Sequence, residues 1–171
     1  MQDHQGEFAD LDQKFRNGAN WFYWVAALSL INSLIVLFGG GWAFIFGLGT
    51  TQVVDALGAV VVEEFPDSVL MIKGGAFVIS LVLLGVAGVF GWLAHKGIVP
   101  VFIIGIVLYC LDGLLFVIGG DILGLLFHGF VAYQMMAGLQ ALRQLHQVVR
   151  RAAVVDAHAQ GAPVPPVAPG A

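Results

Sequence analysis

Four long apolar stretches dominate the chain, at about 20–47, 74–94, 98–118 and 122–142. Each is near or above the roughly 20 residues needed to cross a hydrocarbon core as a helix. The pattern predicts an all-α fold: a four-transmembrane-helix bundle occupying 20–142. The first stretch is longer than a span requires, and Gly39-Gly40-Gly41 is expected to end or kink it, leaving Trp42 to Gly49 at the interface. Trp21 and Trp42 then suit two aromatic belts about 30 Å apart.

Between the first two stretches, 50–72 is the sizeable loop. Val53, Val54, Leu57, Val60, Val61 and Phe65 recur in it at helical spacing, with Asp55, Glu63 and Pro66 off or beyond that stripe. An outer amphipathic helix, lying on the surface or folded over the bundle mouth, is the expected reading, with a re-entrant segment as the alternative. Beyond Leu142, Leu145 or His146, Val149 and Ala152 continue a stripe begun by Met135 and Leu139. The fourth helix should therefore extend as an amphipathic cytoplasmic helix over 143–160. Residues 1–19 read as a polar cytoplasmic arm without an apolar period strong enough to fold alone, and 161–171 as a disordered Ala/Pro tail.

Composition fits this picture. Of 171 residues 59% are hydrophobic and 11% charged, against about 25% charged in soluble domains. A bacterial inner membrane is the expected home, with no cleavable signal, because the first 20 residues are polar and the apolar run after them is longer than a signal core. Lys14, Arg16, Lys96, Arg143, Arg150 and Arg151 fall on one side of the spans and only Lys73 on the other, so six of the seven basic residues place both termini in the cytoplasm. No basic stripe with interleaved aromatics suggests nucleic acid. The lone Cys110 reads as a packing residue within the third span.

The candidate chemistry lies at the turn between the third and fourth spans. Asp112 and His128 are each eight residues from Gly120, which puts both about 12 Å below the turn at ~1.5 Å per residue. Ionisable groups inside spans are costly and make a functional-site hypothesis. Gly105, Tyr109 and Asp112 share one side of the third span; Gly120, Gly124, His128 and Ala132 follow at i+4 on the fourth. Close packing of small residues, with Gly113 beside Asp112, would bring the acid to the imidazole. Asn32, flanked by Ser29 and Ser33, and Ser80 are expected at similar depth. Asp121 fits an N-cap for the fourth helix rather than a chemical role.

Two readings of the pair stand at this point: a structural clasp, or a proton-binding site. A haem site is weaker, because His128 has no histidine partner at its depth, and a metal site would need more ligands than the pair supplies. The sequence holds no Ser/His/Asp arrangement, no phosphate loop and no Gly-x-Gly-Asp, so no catalytic residue, cofactor or metal is expected.

The strings Trp21-Phe-Tyr-Trp-Val-Ala-Ala-Leu-Ser-Leu-Ile-Asn32, Gly47-Leu-Gly-Thr-Thr-Gln-Val-Val-Asp55, Tyr109-x-x-Asp112, Phe127-His128 and Gly138-Leu139 resemble those of small, uncharacterised bacterial four-helix membrane proteins. That resemblance implies fold and location and no activity, and marks Asn32, Asp55, Asp112 and His128 as a set. The expected function is a non-enzymatic membrane accessory or scaffold protein. Its partners are the lipid bilayer and, through the spans and 143–160, a second copy or a membrane-complex subunit. A proton-linked transporter or channel is the alternative, and a haem-binding redox subunit a distant one.

Overall fold

The computed structural model describes residues 2–40 and 47–160, with the side chains of 2–5 left aside. Those residues form five α-helices and no strand: α1 Gln2–Leu37, α2 Gly49–Glu64, α3 Val69–His95, α4 Val99–Gly119 and α5 Ile122–Ala159, with a 3₁₀ turn at Pro66–Ser68. Four of them, α1, α3, α4 and α5, are long and apolar enough to cross a membrane. The expectations for Trp42 and for the 161–171 tail lie outside the described residues.

The expected arm at 1–19 is not a separate element. It is the first half of α1, and Leu11, Phe15 and Ala19 are buried in the core that also holds Leu139, Leu142 and Leu145 of α5. Local apolar periodicity missed it because three apolar side chains suffice when the other wall is already a helix. The two helices cross where Gly18 meets Gly138, so closely that a Cβ on Gly18 would lie 2.5 Å from the Gly138 Cα.

Two short turns set the rest of the topology. At Lys96-Gly97 the chain leaves α3 through a left-handed glycine (φ +72°) and enters α4 with Pro100 in its first turn, where a missing N–H costs nothing. At the other end Gly120 (φ +70°) closes α4, with Asp121 N–H donating to the Phe116 carbonyl and Gly120 N–H to that of Val117. This is the Schellman pattern. Gly120 thus serves as a helix cap rather than a packing contact: no atom lies within 4 Å of where its Cβ would be. Asp121 then starts α5, its side chain accepting the Gly124 N–H at 3.0 Å. Asp121→Ala should cost about 1 kcal/mol, read by denaturant unfolding in detergent.

The apolar stripe of α2 faces the opposite way from a helix on a water-soluble domain. Val53, Leu57, Val60, Val61 and Phe65 are exposed, while Gly49, Thr51, Asp55 and Gly58 face the protein. In a bilayer, an exposed apolar stripe of this kind would face lipid on the outside of the bundle. The small side of α2 lets it close on its neighbours: a Cβ on Gly58 would meet the Ala76 methyl of α3 at 3.2 Å.

Candidate functional site

Asp112 and His128 meet across the α4–α5 hairpin, with His128 Nε2 3.0 Å from Asp112 Oδ2. Both are buried, at 7% and 3% exposure. The approach depends on Gly113, where a Cβ would crowd the His128 ring at 3.2 Å. Aromatic rings enclose the imidazole. Tyr109 stacks on it at 4.5 Å and 8°, Phe116 tilts against it at 4.6 Å, and Phe127 meets it edge-on at 6.3 Å.

A third element, the start of α2, completes the site. The N-terminus of α2 points at the carboxylate: Gly49 N–H donates to Asp112 Oδ2 at 2.6 Å and Thr50 N–H to Oδ1 at 2.8 Å. The first N–H groups of a helix have no partner within it, and its positive end favours a negative charge. Asp112 therefore caps α2 from another helix. Position 49 needs glycine for this, because a Cβ would stand 2.9 Å from the Phe116 ring and 3.0 Å from the Asp112 carbonyl oxygen. Its only sequence signal is Gly-Thr-Thr ahead of an apolar run, the form of a helix start that tolerates close approach.

The proton inventory follows from these contacts. His128 Nδ1 lies 3.0 Å from the Gly124 carbonyl oxygen, which only accepts, so Nδ1 carries a hydrogen and donates. Nε2 faces a carboxylate oxygen, and two acceptors do not sit at 3.0 Å without a proton between them. The pair thus shares one proton, and imidazolium against carboxylate matches the two N–H donors that α2 directs at Asp112. Both ring nitrogens are engaged within the hairpin. Among the described residues no three His, Cys, Asp or Glu side chains gather as a metal site would need.

The remaining candidates divide. Tyr109 is buried against His128, yet its hydroxyl finds no hydrogen-bond partner among the described residues. Ser80 is fully buried and its hydroxyl likewise makes no hydrogen bond there, so it is not part of the Asp112 network. Asn32 is buried on α1 between Ser29 and Ser33, both of which hold the segment around α2. Ser29 Oγ accepts the Leu48 N–H at 2.6 Å, and Ser33 Oγ donates to Asp55 Oδ2 at 2.9 Å. α1 and α4 thus grip α2 at successive turns, through Ser33 on Asp55 and Asp112 on Gly49 and Thr50.

The small residues have differing roles. Gly124 leaves room for the Phe116 ring, and Ala132 is buried in the core. Gly105 does not face α5: a Cβ there would meet Phe22 of α1 at 2.7 Å and Phe90 of α3 at 3.2 Å. Gly105 therefore makes room for α1 and α3 rather than for α5. Family models, curated proteins and solved structures were each compared with the chain, and none matches.

Proposed function

We propose that this is a non-enzymatic integral membrane protein of the accessory or scaffold kind, in which Asp112 and His128 form a latch that holds α2 in the bundle. One observation carries this reading: the carboxylate is filled by donors from α2 and α5, two of them backbone N–H groups that never change protonation. A group engaged in this way is suited to fixing structure, and buried polar contacts in membranes serve specificity more than stability.

By the positive-inside rule this reading assigns the termini to the cytoplasm and the Gly120 turn to the outside. The start of α2 then lies about 12 Å below that turn, at the depth of Asp112. The loop is thus re-entrant, with α2 rising to the outer surface. Support for membrane placement comes from the apolar exterior, with Val78, Ile79 and Val82 of α3 and Leu111, Leu114 and Ile118 of α4 all exposed. At the opposite end, the first half of α1 and the last part of α5 form a helical stalk. Val149 and Val155 are uncovered on it, a surface for a partner in the same membrane complex.

The experiment is pH-gradient-driven proton flux in liposomes. Wild type should conduct no better than protein-free vesicles. Flux in wild type that disappears in a folded Asp112→Asn variant would make the pair a relay and put proton-linked transport in place of the latch.

A further inference from the structure

We propose that a cavity among α1, α2 and α3 binds a small zwitterion, a primary ammonium joined by a short linker to a phosphate. Asp55 takes the ammonium and Lys73 the phosphate. The cavity holds about 200 Å³ and is walled by Ser33 and Leu37 of α1, Asp55 and Ala59 of α2, and Lys73 and Phe77 of α3. That is below the roughly 300–1,000 Å³ of drug-sized ligand sites, and suits a solute the size of a lipid head group. Its level is close to the outer surface. From Gly49 to Asp55 the helix α2 climbs about 9 Å at ~1.5 Å per residue, most of the roughly 12 Å between Asp112 and the Gly120 turn.

The class of ligand follows from two charges that face one space without meeting. Ser33 Oγ donates to Asp55 Oδ2 at 2.9 Å, while Oδ1 receives no hydrogen bond among the described residues and keeps accessible surface. Lys73 lines the same cavity and makes no ion pair among the described residues. By the side assignment above it is also the one basic residue outside. α1 ends at Leu37, in the same wall as Asp55, and the C-terminal end of a helix favours a cation. A simple ion of either sign would leave the opposite charge unanswered. A primary ammonium brings hydrogens for Oδ1. A quaternary one brings none and needs an aromatic cage, whereas Phe77 is the one ring among the lining residues. Lysine is a compact point charge with three donors, which suits the oxygens of a phosphate. This site rests on the membrane placement and side assignment above and not on the latch. The same chemistry comes from two sources, the head group of an ethanolamine phospholipid or a free solute of the phosphoethanolamine kind.

The test is equilibrium binding of radiolabelled phosphoethanolamine, and of phosphocholine, to the full chain in maltoside micelles, which carry neither charged group. Wild type should bind phosphoethanolamine saturably and about tenfold or more tightly than phosphocholine, the scale of one hydrogen bond to a charged group. Asp55→Asn keeps an acceptor for Ser33 and should erase that preference. Lys73→Gln, at a partly exposed position that the fold tolerates, should weaken phosphoethanolamine by about tenfold or more on the same scale. Binding of ethanolamine itself should not change in that variant. No saturable binding to wild type, equal binding of the two compounds, or binding undiminished in Lys73→Gln would overturn the site and leave Asp55 and Lys73 as an internal pair. A chain that stays monodisperse without detergent would overturn the membrane placement and with it the outer position of the site. Adding phosphatidylethanolamine to the micelles separates the sources: loss of phosphoethanolamine binding by competition points to the phospholipid head group, and retained binding to a free solute.

Discussion

In an Asp112→Ala variant, α2 comes away from α4 and the protein loses about 3–5 kcal/mol of stability, the scale for removing one partner of a buried charged pair. The change does more than delete one ion pair. The Gly49 and Thr50 N–H groups lose the oxygens that satisfy them, and His128 Nε2 loses its partner at 3.0 Å. Each orphaned buried donor carries its own desolvation cost. Adding His128→Leu to the variant should restore part of the loss, since the imidazole no longer stands unpaired. The N-terminus of α2 stays uncapped, so recovery is incomplete. Denaturant unfolding in mixed micelles measures both variants. A loss below about 1 kcal/mol for Asp112→Ala, the range of a solvent-exposed pair, would mean that the carboxylate is not holding α2.

Gly138→Leu should cost about 3 kcal/mol and separate α1 from α5, at the upper end of the overpacking range. The obstacle is backbone rather than a side chain that can swing aside: a Cβ on Gly138 would stand 2.6 Å from the Gly18 Cα and 3.2 Å from the Phe15 carbonyl oxygen. Leu11 and Phe15 would lose their cover together, so the first half of α1 should become susceptible to protease. The contrast is Gly85→Ala on α3, where nothing lies within 4 Å and the change should be neutral or gain up to about 1 kcal/mol from helix propensity. Unfolding midpoints of the two variants, with a limited-proteolysis time course, test this. Equal midpoints would contradict the close crossing.

Span positions could be read because hydrocarbon leaves a compositional mark. The runs at 74–94, 98–118 and 122–142 correspond to α3, α4 and the first part of α5. The match in depth between Asp112 and His128 could be read too, since helical rise and a shared turn fix it by counting. Three features could not. The donors of Gly49 and Thr50 are backbone atoms, and no residue type marks them. Ser33 reaches Asp55 across 22 residues, a contact with no local period. The orientation of α2 is the third, because periodicity locates an apolar face without saying which side the apolar solvent is on. Burial supplies that sign, with Leu57 at 60% exposure and Asp55 at 8%. Ser80 shows the opposite limit: its depth was countable, but its rotation about α3 leaves it outside the Asp112 network.

The most direct test of the latch is amide hydrogen exchange across residues 48–52, compared between wild type and Asp112→Ala in the same bilayer mimic. The Gly49 and Thr50 amides donate to the carboxylate at 2.6 and 2.8 Å, so they should be protected in wild type. In the variant they should exchange about tenfold faster or more, corresponding to ~1.4 kcal/mol or more of lost protection, while the interiors of α3 and α4 keep their rates. Unchanged exchange at these two amides in a folded variant would contradict the latch.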